Sequence, residues 1–390
     1  MQKYDIHVCL VSDQAAANLL PILDSEFKPK EAIFLVSKAM KEKATFLANT
    51  FKTQNVKVNI IELTDEFNFG EMEDQIIELV SQYEDTNIAL NVTGGTKLMS
   101  IAAENAFTLI QKPIFYIDTD ENRIIFISKD ENKEWLKNLP LNSKNKIDIY
   151  LSAYGAKVMN SSIPSEREDL IPAINNLIKN YDSYKDIVPL LNKHATLSQS
   201  NGYKSTFTKD NPKTNKIHDL LCHLNHLNIV EYNGETINFH NKKIKDFLNG
   251  GWLEDYVYQE TKGISHIQDI LCNADVANHK YRQDKNMYSA ENKGNKNEFD
   301  ITFIAKNKLH IIECKTQLMD KQAGEKAEDI LYKLETLKDY GGLMTKKCLV
   351  SYFEVPEQIK NRANFLNIEI IQGKDLQRLK EKIQNWIGKK

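Results

Sequence analysis

The chain has 390 residues, 41% of them hydrophobic and 27% charged, and a formal net charge of −3. That length implies two or three domains, the composition excludes a disordered or fibrous chain, and the near-neutral balance confines any nucleic-acid surface to a local patch. Five scattered cysteines without a C-x-x-C pair fit a reducing compartment; no apolar run nears the ~20 residues of a membrane span, so a cytoplasmic protein without a membrane partner is expected.

In chain order, IHVCLVS, AIFLVS, VKVNIIEL, NIALNV and PIFYID read as strands. Between them lie the helical patterns QAAANLLPIL, KAMKEKATFLANTF, GEMEDQIIELVSQY and TKLMSIAAENAFTLI. Such alternation predicts a doubly wound α/β sheet with right-handed crossovers over residues 1–150. RIIFIS (123–128) adds an antiparallel edge strand. The segment NIALNVTGGTKLMSIAA ends a strand in a glycine turn and opens a helix of small residues. Glycines admit close backbone approach and free N–H groups attract phosphate, although neither a P-loop nor a dinucleotide fingerprint is present. In a doubly wound order the first and fourth strands are neighbours at the ligand-binding switch point. The loops Ser12-Asp13-Gln14 and Thr93-Gly94-Gly95-Thr96-Lys97 should therefore converge.

Residues 151–250 change in texture. SEREDLIPAINNLIKNYDSY and TNKIHDLLCHLNHLN read as helices, and IVEYNGETINFH as a hairpin turning at Asn233–Gly234. The set resembles a small winged-helix module, read here as a compact spacer because fold alone assigns no function. His218, Cys222 and His226 recur at every fourth position, with His223 beside them. Residues stacked up one helix cannot surround one tetrahedral ion; they flank the apolar stripe of Ile217, Leu220, Leu221, Leu224 and Leu227.

The last part, 251–390, opens with the helix WLEDYVYQETKGI and the strand IQDILCNADVAN. Next comes FDITFIAKNKLHIIECKT, two apolar arms that turn at Lys306–Asn307. Counting outward from that turn sets Asp300 opposite Glu313, with Lys315 on the same face and Cys314 on the other. Two close carboxylates are costly to bury unless a cation neutralises them, and a hard divalent ion prefers such oxygens. An exposed edge hairpin with charges against aggregation is the bland alternative, but Ile301, Phe303, Ile311 and Ile312 require a buried face.

The spacing D-x12-E-x-K resembles that of the PD-(D/E)XK nucleases, as do Asn297-Glu298-Phe299-Asp300 and IIECKT, although the proline of the motif is missing. The resemblance implies Mg²⁺ or Mn²⁺ held by Asp300, Glu313, the backbone carbonyl of Cys314 and Glu254 of the opening helix, with Lys315 as the catalytic amine. Lys293 and Lys296 of the approach loop, and Lys333 of a later helix, would meet substrate phosphates. The strand–TGGTK–helix pattern of the first domain resembles the CARF domain, a CRISPR-associated sensor that binds cyclic oligoadenylates across a dimer axis. The implied ligand set is Ser12, Asp13, Gln14, Thr93, Gly94, Gly95, Thr96 and Lys97, with Ser37 and Met99 as looser members.

Together the order of motifs resembles the CARF-plus-nuclease effectors of type III CRISPR systems. The implied protein is a homodimeric, metal-dependent nuclease activated by cyclic tetra-adenylate, cutting DNA or RNA. Two alternatives stay open: a constitutive repair or restriction nuclease, and a ligand-responsive winged-helix regulator with an inactive nuclease domain.

Overall fold

The structure is a computed structural model that describes residues 3–130, 132–162, 170–207, 214–285, 293–319 and 324–389. The N-terminal body holds strands β1 (Ile6–Leu10), β2 (Glu31–Val36), β3 (Lys57–Glu62), β4 (Ile88–Asn91), β5 (Ile114–Asp118), β6 (Arg123–Phe126) and β7 (Leu139–Pro140). Their order is β3-β2-β1-β4-β5-β6-β7. The first five run parallel and the last two antiparallel. The central strands are apolar along both faces because helices cover both. Val8, Leu10, Ile33 and Leu35 meet Met72, Ile76 and Ala102 on one side, while Phe34 and Val36 meet Leu47 and Phe51 on the other.

A second sheet follows, from β8 (Ala156–Ser162), with β9 (Lys204–Thr206), β10 (Val230–Tyr232) and β11 (Thr236–Phe239) forming a small sheet in between. The large C-terminal sheet adds β12 (Ile267–Asn278), β13 (Lys296–Ala305), β14 (Lys308–Lys315), β15 (Lys346–Ser351) and β16 (Ile368–Gln372). Its order is β16-β15-β14-β13-β12-β8, with only β14, β15 and β16 mutually parallel. The hairpin turn falls on Lys306 and Asn307, both with positive φ (50° and 59°), the geometry that matches strand twist in a two-residue loop.

The middle segment contains the expected helix Thr214–His226 and hairpin, plus a helix Val188–Ser198 and the strand β9 that no sequence pattern announced. The helix expected from 165 begins at Ile171 among the described residues, and 163–169 lie outside them. β8, placed by the sequence reading within the spacer, pairs with β12 and extends the C-terminal sheet. One apolar layer joins the two bodies: it runs from Phe34 and Phe51 through Tyr150 and Leu151 of the helix Ile147–Ala153 to Ile311 and Leu349. The other face of the C-terminal sheet packs Phe303 and Val350 against Trp252, Val257 and Leu191.

Candidate active site and sensor loops

The hairpin register pairs Ile301 with Ile312 and Ala305 with Lys308. The paired ladder ends at Ile301 and Ile312, and one step outward Asp300 and Glu313 lie close enough to repel each other. The Cys314 N–H donates to Asp300 Oδ2 at 2.7 Å, which locks the carboxylate against the neighbouring strand. Glu313 is 2% exposed. Its burial is tolerated because Lys315 Nζ donates to Oε1 at 2.7 Å, and Lys333 Nζ donates to Oε1 at 3.0 Å and Oε2 at 2.9 Å.

The site is electrostatically loaded. Burial, then repulsion by Glu313 and Glu254, pushes Asp300 from 3.8 up to about 7 against the pull of Lys315. Burial likewise raises Glu254, reinforced by Glu298 and Glu313 and opposed by Asn273 and Lys315. Burial would lower Lys315, but Glu313 and Asp300 outweigh it and hold the ammonium above its ordinary value. Desolvation pushes the Cys314 thiol up, so its sulfur is a neutral wall and only its backbone serves the site.

A cavity of about 400 Å³ opens over Glu254, Asn273, Lys315 and Thr316. It reveals residues that the sequence reading missed. Asp255, beside Glu254, is pushed up to about 7 by burial and by that neighbour. The middle segment closes one wall with Lys243, Asp246 and Asn249, and Asn192 holds the wall residue Thr316 by donating to its carbonyl at 2.9 Å and its hydroxyl at 3.2 Å. Gly250, at φ 126°, passes so close that a Cβ there would lie 2.7 Å from Thr316 Oγ1.

Of the proposed phosphate contacts, Lys296 is paired with Asp275 at 3.0 Å and Lys333 is spent on Glu313. Lys293 is exposed. Among the described residues no three His, Cys, Asp or Glu side chains converge as a ready-made metal cage. The donor chemistry nonetheless fits a hard divalent cation: mutually repelling carboxylates, one of them raised to about 7, are what such an ion relieves. His218 faces the Tyr232 hydroxyl at 3.0 Å and Cys222 at 3.6 Å.

At the other end, β1 and β4 are parallel neighbours and their loops converge. A Cβ on Gly94 would lie 2.1 Å from the Leu10 carbonyl oxygen and 3.4 Å from Ser12 Oγ, and Gly95 sits at φ 77°, so neither position accepts a side chain. Thr93 Oγ1 donates to Asn91 Oδ1 at 2.6 Å and accepts the Ile117 N–H at 2.7 Å. Thr96 caps the following helix by accepting the Met99 N–H at 3.2 Å. Lys97 is exposed at that helix start. Ser12 Oγ accepts the Gln14 N–H at 3.3 Å, and Asp13 pairs with Lys43. Two looser members stand apart: Met99 is 1% exposed within the apolar core, and Ser37 is buried. Met99 is therefore a packing residue, with no side-chain surface left for a ligand.

Residues 6–149 match the Card1 CARF domain family, and residues 241–390 match the Card1-like endonuclease domain family. Among solved structures the chain is similar to protein VC1899 from Vibrio cholerae, at 23% identity and a TM-score of 0.85, over 98% of each chain. It is similar to Can2 from Sulfobacillus thermosulfidooxidans, solved with cyclic tetra-adenylate, at 23% identity and a TM-score of 0.78, over 99% of this chain and 98% of that one. A type III CRISPR defence DNA nuclease activated by cyclic oligoadenylate aligns at 14% identity and a TM-score of 0.53, over 91% of this chain and 47% of that one. No curated protein matches in sequence.

Proposed function

We propose that this chain, which belongs with the Card1-type nucleases through its CARF and endonuclease domains, is a CRISPR-defence nuclease switched on by a cyclic oligoadenylate, with cyclic tetra-adenylate the first candidate. The observation that carries the catalytic half is the convergence of Asp300, Glu313 and Lys315 at one end of a hairpin, under a cavity that reaches Glu254. Asp300, Glu313, Glu254 and the Cys314 carbonyl would hold Mg²⁺ or Mn²⁺. When bound, such an ion acidifies water and offsets charge on the phosphodiester.

The chain's own residues do the rest. Lys315, kept protonated by Glu313 and Asp300, donates toward the attacking oxygen or the developing phosphorane charge. The Cys314 N–H fixes the orientation of the Asp300 carboxylate. Lys333 shares Glu313 with Lys315, and Lys293 lies exposed on the approach to β13, where a phosphate backbone can engage it.

The sensor half rests on two loops at the switch point, one with a helix N-terminus capped by Thr96. A ring with two-fold symmetry suits an isologous dimer. The helix Lys97–Leu109, which starts at the glycine turn, presents Leu98 (39%), Ile101 (50%) and Leu109 (66%) to solvent, an apolar stripe that a second copy would cover. All five cysteines are free, in keeping with a reducing cytoplasm. No described helix is long and apolar enough to cross a membrane.

The test compares wild type and Glu313→Ala on labelled DNA and RNA with Mn²⁺, with and without each cyclic ring. Ring-dependent cleavage by wild type alone is expected. Cleavage retained by Glu313→Ala removes the catalytic assignment; equal rates with and without ring remove the sensor.

A further inference from the structure

A cavity of about 500 Å³ lies between the two bodies, on the side of Ser12-Asp13-Gln14 that faces the nuclease. Its sensor wall includes Gln14 and Phe46; the wall beyond the crossing between the bodies includes Tyr154, His279, Tyr340 and Leu343. The size is that of a small-molecule site, and the lining sets the aromatic rings of Phe46, Tyr154, His279 and Tyr340 among many polar and charged side chains, Glu42, Lys43 and Asn297 among them. Phe46 and His279 are in ring contact across the junction, with centroids 4.5 Å apart.

Gln14 carries the decisive observation. Both its amide nitrogen and its amide oxygen are buried, and neither has a hydrogen-bond partner among the described residues. A buried amide left with both donor and acceptor unpaired is costly. It matches a group that offers an acceptor and a donor side by side, and the adenine edge does so through a ring nitrogen and the 6-amino group. Flat aromatic walls suit the faces of such a base.

We propose that this cavity takes one purine base of the cyclic activator, read by Gln14, so that the nuclease body itself forms part of the activator site. The inference rests on the ring-sensing reading above and extends it. It also supplies a route to catalysis. Tyr340 accepts the Asn297 side-chain N–H at 2.7 Å, and Asn297 lies on β13, the strand of Asp300. Tyr340 also ends the short turn that follows the helix Gly324–Thr336, which carries Lys333. A base seated against Tyr340 therefore presses on both elements that hold the carboxylate pair.

The experiment uses the full-length Glu313→Ala chain, so that binding is read by calorimetry without cleavage. Its probes are cyclic tetra-adenylate and the same ring built on unsubstituted purine, which lacks the 6-amino donor. The adenine ring should bind about tenfold or more tightly than the purine ring, the scale of one good bidentate base contact. Adding Gln14→Ala should abolish that preference. A separate Leu343→Trp change, at an exposed position outside the CARF domain, should fill the cavity and weaken the adenine ring by a similar factor. Preference retained in Gln14→Ala, or unchanged affinity in Leu343→Trp, overturns the cavity assignment while leaving ring activation standing. No binding of either ring to the parent chain overturns both.

Discussion

Asp300 is a carboxyl group that the fold holds at about 7 instead of 3.8. Between those values the folded chain keeps a proton that the unfolded chain has released, so stability falls as pH rises through that window. Without divalent cation, Asp300→Asn should therefore melt at a higher temperature than wild type at pH 8, and the difference should vanish near pH 4. A melt series in chelator checks this; equal melting at pH 8 refutes the strained-carboxylate account. The same variant should be inactive. At Gly94, a methyl group would collide with the Leu10 carbonyl. Gly94→Ala should cost about 1–3 kcal/mol by overpacking, visible as a lower denaturation midpoint.

At the scale of elements, the helix Gly324–Thr336 bears on chemistry through Lys333. Its ammonium covers both Glu313 oxygens, so it competes with any cation for that carboxylate. Lys333 is partly exposed, and an ion pair of that kind is worth ~0.5–1 kcal/mol. Lys333→Met should accordingly lower the Mn²⁺ concentration for half-maximal cleavage by about two- to fivefold. A raised requirement would show that Lys333 helps to hold substrate instead. The hairpin carrying Asp300 and Glu313 was legible because two apolar arms alternate around Lys306–Asn307, which fixes register by counting. The glycine turn was legible because a strand stops and a helix starts with no room for side chains. Lys333 on Glu313 and Asn192 on Thr316 were not legible, since each joins segments that only tertiary packing brings together; Asp255, next to Glu254 in the chain, was passed over because its burial, which raises it first, shows only in the fold. β8 was hidden for another reason: of AKVMNSS only Ala156 is buried, so an edge strand left no alternation to read.

At the scale of the molecule, β8 changes what counts as the nuclease unit. A fragment of 251–390 lacks the strand that pairs with β12 and exposes Phe303 and Val350 where the middle segment packs on them. It should be insoluble, whereas 147–390 should fold, as circular dichroism of the two purified fragments would show. The shared layer from Phe34 to Leu349 predicts one calorimetric transition for the full chain; two resolved peaks would contradict it.

The placement of β8 also bears on how force can travel. The middle segment leaves the C-terminal sheet after Ser162, and the chain returns through the helix that opens at Trp252 to β12, so topologically it is an insertion in the nuclease and rides with it. The polypeptide passes from the sensor to everything else once, through the stretch between Leu141 and Ile147. That short crossing is pinned to the sensor through Asn142 on Asp24 and to the nuclease through Gln268 on the Ser143 carbonyl. A single stretch of chain so short carries little torque by itself. Any turning of the sensor must be conveyed by surfaces pressed together, which makes the junction's lining, more than its linker, the place where a trigger can be retuned.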